Sequence, residues 1–189
     1  MNTRQKIQTA FIELAEKKAF DKITVQEIVN ECGMNRNSFY YHFENIPDLV
    51  ESVFEDWLGE PILHIQPSSM EECMQEVIHR MLKHKNAAIH IYNSKNRLYM
   101  DRYIFDACEK LIHSLFQSLN YYGYSISDED KKTMNWFYKS TVYGLLMEWI
   151  SNGMKEDIIP KYQRMFQLYD GTLEEICRRA SFKEGNGKC

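Results

Sequence analysis

The sequence predicts an all-α fold, with a small N-terminal helical unit followed by a larger helical body. Three observations carry that expectation. Apolar residues recur at three- and four-residue spacing along most of the chain. No segment shows the period-two alternation of a half-buried strand. Only 8 Gly and 4 Pro interrupt 189 residues, so long unbroken elements are expected.

The elements follow in order. Ile7, Phe11, Leu14 and Ala15 form a helical stripe that ends near Lys17-Lys18 and the turn Ala19-Phe20-Asp21-Lys22. Thr24-Val-Gln-Glu27 has the S/T-x-x-E form in which a side chain and a backbone amide cap each other, so a helix starts there. It turns Val25, Ile28, Val29 and Cys32 inward and stops at Gly33, where a left-handed residue costs glycine little. Asn35 caps a short helix through Phe43. Asn45 caps a fourth, with Leu49, Val50, Val53, Phe54 and Trp57 buried. Gly59, Pro61 and Pro67-Ser68-Ser69 mark a connector.

Beyond the connector, helices are expected from Met70 to about His84, Ala87 to Asn93, Leu98 to about Tyr122 and Ser127 to Gly153, with a single last helix after Pro160. The predicted units are 1–46, 47–182 and a disordered polar tail, 183–189.

Composition narrows the function classes. An apolar fraction of 44% and an aromatic fraction of 13% fit a folded globular chain. No apolar run is long enough to cross a bilayer, and the N-terminus lacks the apolar core of a secretory signal. A cytoplasmic protein without membrane contact is expected. Cys32, Cys73, Cys108, Cys177 and Cys189 are an odd, widely spaced set without a C-x-x-C pair, which argues for reduced thiols. The net charge is −4. Through Pro47, Arg4, Lys6, Lys17, Lys18, Lys22 and Arg36 are matched by Glu13, Glu16, Asp21, Glu27, Glu31 and Glu44. Any affinity for nucleic acid must rest on where donors sit, not on bulk charge.

Residues 24–43, TVQEIVNECGMNRNSFYYHF, read as helix, glycine corner, helix. This is the helix-turn-helix pattern, in which the second helix enters the major groove while the first braces it. The second helix opens with Asn35, Arg36, Asn37 and Ser38, all able to address base edges or phosphates. Phe39 and Phe43 point inward. Tyr40 and Tyr41 are adjacent, so at least one must be exposed; beside His42, phosphate binding explains the pair better than packing. Thr24 and the amides behind it offer a phosphate site, and Arg4 adds a contact from the first helix.

The run ITVQEIVNECGMNRNSFYYHFENIPDL, residues 23–49, resembles the signature of TetR-family transcriptional regulators. By motif the likeness covers about the first third of the chain; further on, only helix order and length agree. It implies that Arg36 and Asn37 read bases from a helix begun at Asn35. Tyr40, Tyr41, His42 and Thr24 would contact the DNA backbone. It also implies a larger domain that binds an effector and forms a homodimer on double-stranded operator DNA, most often as a repressor. Where the family commonly has a phosphate-binding Lys at the start of the fourth helix, this chain has Ile46, preceded by Glu44. The flavour CGMNRNSFYYHF followed by Ile-Pro-Asp-Leu is similar to regulators near dihydroxyacetone-kinase activators. Some of those work with a co-regulator protein, and the alternative reading is such a co-regulator with little DNA binding of its own.

In the larger domain, helices 127–153 and 160–180 are assigned to the dimer interface, with Ser140 and Gly144 allowing close approach. The pocket falls to Tyr92, Tyr99, Tyr103, Cys108, Trp136, Tyr143 and Met147, each of which would serve equally well as ordinary core. Glu72, Glu76 and His79 share a helical face, but a second Glu-x-x-His is absent and Glu109 and His113 are spaced by four, so no metal is expected. No catalytic or cofactor-binding arrangement stands out, and an enzyme is not expected.

Overall fold

Asn2 sets the start of the first helix: its side chain accepts the Gln5 N–H at 2.9 Å while the Gln5 side chain accepts the Asn2 N–H at 3.0 Å. From this reciprocal cap α1 (Thr3–Lys17) runs with Ile7, Gln8, Ala10, Phe11 and Ala15 buried on one side. The structure, a computed structural model, describes residues 1–59 and 70–181. The proline-rich part of the connector and the tail 183–189 lie outside the described residues. A 3-10 turn, Phe20–Lys22, follows α1 and sets the Phe20 ring edge-on against Phe11 at 5.9 Å.

The corner of the motif forms for local reasons. Thr24 and Glu27 cap α2 (Val25–Glu31) reciprocally. Gly33, at φ +68, takes the left-handed turn that ends it, and the Met34 N–H closes back on the Val29 carbonyl at 2.7 Å. Asn35 caps α3 (Arg36–His42), and Asn45 caps α4 (Ile46–Phe54) by accepting the Asp48 N–H at 2.9 Å. The last turn of α4 widens into a π turn, Glu55–Gly59, which carries the buried Trp57.

The body contains α5 (Met70–Lys83), α6 (Lys85–Tyr92), α7 (Arg97–Ser118), α8 (Asp128–Ser151), α9 (Ile159–Leu168) and α10 (Thr172–Ser181). Among the described residues there are ten α-helices and no strand. Helices α7 and α8 form the most extensive pair; α4 packs on α7, α1 on α6 and α5 on α9. One continuous core runs from Ile7 through Phe54, Met81 and Ile104 to Ile150, so head and body share it. A second, smaller core of Ile112, Phe116, Ile126, Met134 and Cys177 sits under α10.

Two helices end differently from the pattern-based expectation. Helix α7 stops at Ser118, and Asn120, Tyr121, Tyr122 and Gly123 take φ of 44, 48, 55 and 76°. Three successive non-glycine residues in the left-handed region are strained. Stacking of Tyr121 on Phe116 at 5.4 Å and the Lys131 ammonium over the Tyr121 ring offset that strain. The expected single last helix is two, broken at Gly171 with φ +70. Periodicity hides this break because both halves keep their apolar side inward. A third difference concerns α8. The sequence traces Phe137, Thr141 and Leu145 in one stripe with Met134, Leu146 and Trp149, but the former are exposed and the latter buried. The helix is apolar on two faces, and only one meets the core.

Candidate nucleic-acid interface

Helix α3 is only seven residues long, so tertiary packing holds it. Phe39 is fully buried and Phe43 nearly so, their rings 5.7 Å apart. Burial of each contributes about 1.5–3 kcal/mol. With these two rings facing the core, the helical repeat turns Arg36, Asn37, Tyr40 and Tyr41 outward, and all four are exposed. Tyr41 is 85% exposed and Tyr40 54%, so both phenols of the pair, not one, reach solvent. His42 is half-buried, its ring edge-on to Tyr41 at 4.9 Å.

Asn35 is exposed, but its side-chain carbonyl accepts the Ser38 N–H at 2.9 Å and the Ser38 hydroxyl at 3.1 Å. Its oxygen is committed to starting α3. Arg4 is exposed on α1, and its guanidinium lies over the Phe43 ring at 5.7 Å, beside the end of α3. Six of the eight sequence-predicted contact residues thus lie on α3 or cap it, and Arg4 joins them as a seventh only through the fold.

Thr24 is placed differently. Its hydroxyl donates to the Glu27 carboxylate at 2.9 Å, and its N–H donates to the same oxygen at 3.0 Å. The Lys18 ammonium is 2.6 Å from the other oxygen. Hydrogen bonds from Lys18 first, and then from Thr24, hold the Glu27 carboxyl below its usual value. Both donors of Thr24 are therefore already engaged by the carboxylate that caps α2. Ile46 is half-buried against the core, which explains an apolar residue at that position. Glu44 is exposed, its N–H donating to Asp48 at 2.9 Å.

The structure does not gather the seven pocket candidates. Cys108 and Met147 are buried in the main core, and Tyr92, Tyr103 and Tyr143 are half-buried against it. Burial pushes the Cys108 thiol up to about 12 and raises the Tyr103 and Tyr143 phenols. Tyr99 and Trp136 stand on the surface, because Met100 and Ile104 of α7 and Met134 of α8 take the inward positions. A groove of about 460 Å³ opens instead between the C-terminal half of α8 and α9. Leu145, Trp149, Ile158, Tyr162 and Met165 wall it, and none of the seven candidates lines it. Of the acidic residues weighed for metal binding, Glu76 pairs with Arg80 and Glu109 with Lys139; the Glu72 side chain lies outside the described residues.

The sequence reading missed the seam that joins the head to the body. The buried Gln8 amide donates to the Ser52 hydroxyl and to Asp56. The Ala87 N–H at the start of α6 donates to Glu16, and His90 Nδ1 donates to the Ala15 carbonyl at 2.7 Å. A lone glutamine among the apolar positions of α1 was the available signal.

A three-helix unit with an exposed, polar-tipped second motif helix, fused to an all-α body, defines a helix-turn-helix regulator. Residues 7–53 match the profile of bacterial regulatory proteins of the tetR family, and residues 68–171 match a transcriptional regulator C-terminal region of the same group. The chain belongs to the TetR family of transcriptional regulators, which are transcription factors, not enzymes.

Among relatives, the HTH-type transcriptional regulator YerO of Bacillus subtilis (strain 168) is 38% identical over 56 residues, 30% of this chain and 19% of that protein. YxbF of the same organism is 31% identical over 70 residues, 36% of this chain and 18% of that protein. The matched segments thus span under a fifth of either relative. The solved structure of the dihydroxyacetone kinase operon activator DhaS superposes with a TM-score of 0.74 at 18% identity, covering 91% of this chain and 96% of that one. That is a likeness of fold, and it runs through the body as well as the head. Among the described residues no helix is long and apolar enough to cross a membrane.

Proposed function

We propose that this regulator is a ligand-responsive repressor that binds a palindromic operator as a cytoplasmic homodimer. The observation that carries the reading is the outward face of α3, with Arg36, Asn37, Tyr40 and Tyr41 exposed on a helix fixed by Phe39 and Phe43. In this reading Arg36 and Asn37 address base edges in the major groove. Tyr40, Tyr41, His42 and Arg4 contact phosphates and fix the register, and Asn35 starts the helix. Thr24 would contribute only where its bonds to Glu27 open. One seven-residue helix reads too few bases for genomic specificity, so a second copy is part of the mechanism. The outer faces of α8, α9 and α10 supply the contact between copies.

Effector binding in the body changes operator affinity through the head–body seam, with reciprocal coupling between the two ligands. A salt-dependent mobility-shift titration on DNA selected from random pools tests the reading. Sequence-selective binding that weakens with salt is expected, and no retardation at low salt would overturn it.

The alternative is a co-regulator or activator that acts through a protein partner. The evenly balanced charge of residues 1–47, the exposed Glu44 and the inward Ile46 favour it, since all three weaken a hold on phosphates. Retardation only in the presence of a second protein would identify this reading.

A further inference from the structure

We infer that an organic cation with a planar amidinium or guanidinium head binds between Tyr92 and Asp101 by displacing Arg97, and that Arg97 is the latch that closes the α6–α7 turn on the head. The consequence for DNA rests on the ligand-responsive reading above; the site itself does not.

The chain's own guanidinium shows what this place recognises. Arg97, the first residue of α7, lies 4.1 Å from the centre of the Tyr92 ring, with its Nε 3.2 Å from Oδ2 of Asp101. An aromatic face and a carboxylate either side of one charge form a recognition site for cations. Tyr92 ends α6, and Asp101 stands one turn into α7. The row Arg97–Asp101–Phe105 continues to a ring that meets Tyr143 of α8 edge-on at 5.4 Å. Burial first, and then the Asp101 charge, raise the Tyr143 phenol, which sets that hydroxyl near the carboxylate. Helices α6, α7 and α8 thus meet around one carboxylate.

Arg97 fills the site incompletely. It reaches Asp101 through one nitrogen only, and the other oxygen, Oδ1, is buried without a hydrogen-bond partner among the described residues. A buried acceptor left in this way is costly. The tether between positions four apart on one helix sets where the Arg97 fork arrives, and it does not arrive parallel to the carboxylate. An untethered amidinium can meet both oxygens with two parallel N–H groups. Its apolar body then lies along Phe105 and Tyr143.

Arg97 is also readily moved. Its side chain is 46% exposed, so water replaces its contacts at little cost. It sits at the positive end of α7, in a first turn that has no acidic residue and no side-chain cap from Asn96. A cation is disfavoured there.

What the displacement does follows from the turn that Tyr92 and Arg97 enclose. Residues 93–96 carry Lys95, whose N–H faces the Asp21 carboxylate of the head at 3.4 Å. Just before Tyr92 on α6, His90 donates to the Ala15 carbonyl of α1. With Arg97 over Tyr92 the turn is clasped at its two ends and held against the head. With a ligand in its stead, Arg97 swings into water and the clasp opens. The Lys95–Asp21 contact then weakens, and the body holds the head less firmly.

The test uses the full chain and benzamidine, an amidinium on an aromatic ring, with benzamide as its neutral counterpart. Calorimetric titration without DNA reads the dissociation constant. Benzamidine should bind the parent, and roughly three- to tenfold more tightly Arg97→Ala, which removes the internal competitor. It should bind Asp101→Asn at least about tenfold more weakly. Asp106→Asn, which removes an exposed carboxylate outside the site, should change nothing. Benzamide should not bind. Equal binding of benzamide, an unchanged affinity of Asp101→Asn, or an Arg97→Ala affinity no higher than the parent's overturns the site. The first and third of these stand even if Asp101→Asn fails to fold. Mobility shifts on the selected operator DNA then read the latch. Benzamidine should lower operator affinity severalfold, and Arg97→Ala should do so without ligand. Benzamidine that binds while operator affinity stays unchanged overturns the latch. No retardation of DNA in any sample would instead overturn the regulator reading, with the calorimetric result untouched.

Discussion

The side-chain amide of Gln8 donates to the Asp56 carboxylate at 2.8 Å, joining the middle of α1 to the π turn that ends α4. The same nitrogen lies 3.2 Å from the Ser52 hydroxyl, which itself donates to the Leu49 carbonyl at 2.8 Å. Gln8 and Ser52 are buried at 5% and 4% exposure, in a core otherwise closed by Ile7, Phe11 and Val53. A buried polar link of this kind has only a few geometries in which all its members are satisfied, so it fixes the angle between α1 and α4.

Gln8→Ala should destabilise the protein by about 1–3 kcal/mol, the cost of leaving the buried Ser52 without this partner. Urea denaturation followed by circular dichroism measures it. Gln8→Glu should be worse, since it sets a second carboxylate against Asp56. A Gln8→Ala protein as stable as the parent would show that the link contributes nothing.

Phe39 and Tyr41 are two positions apart and should separate folding from binding. Phe39→Ala removes a fully buried ring and should lower stability by about 3–5 kcal/mol. Tyr41→Ala removes an 85% exposed ring, should change stability by less than about 0.5 kcal/mol, and should weaken operator binding across all sequences alike. Thermal melts paired with mobility shifts read both quantities on the same samples.

Arg36→Ala should reduce operator affinity by about 1–3 kcal/mol and relax preference at one base pair of each half-site. Selection from random DNA before and after the substitution shows the change directly. Equal weakening on every sequence would assign Arg36 to phosphate.

His84 gives a dependence on pH. Its ring stacks on Trp57 at 4.9 Å with planes 5° apart, and burial, then the Lys83 charge, lower its pKa below 6.5, against a smaller opposing effect of Glu16. The unfolded chain therefore takes up this proton before the folded one does. The stability involved is present above pH 6.5 and is lost as pH falls through the folded value. The unfolding free energy should fall between pH 7 and pH 5, and His84→Phe, which keeps the stack, should flatten that part of the curve.

Capping signals made the head legible. Thr24, Asn35 and Asn45 each start the helix their sequence context predicts, because a cap is a local bond between residues three apart. The exposed face of α3 followed from placing Phe39 and Phe43 inward. The body was harder to read because apolar residues surround α8, and periodicity cannot say which side meets the core and which meets a partner. Trp136, offered as a pocket candidate, is 63% exposed in the subunit. Long-range polar links such as Gln8–Asp56 and Glu16–Ala87 leave no periodic trace at all. The two left-handed tyrosines ahead of Gly123 depend on the Phe116 ring beneath them, which local sequence does not reveal.

Helix α1 is held at its far end by α6, through the Ala15 carbonyl and the Glu16 carboxylate, and α3 packs on it nearer its beginning. In the proposed repressor it would act as a lever, with its fulcrum inside the body and its load at α3. A tilt too slight to disturb the bonds at Ala15 is multiplied along the length of the rod before it reaches Arg36. In the proposed homodimer the distance between two such loads would then change while every helix kept its own shape.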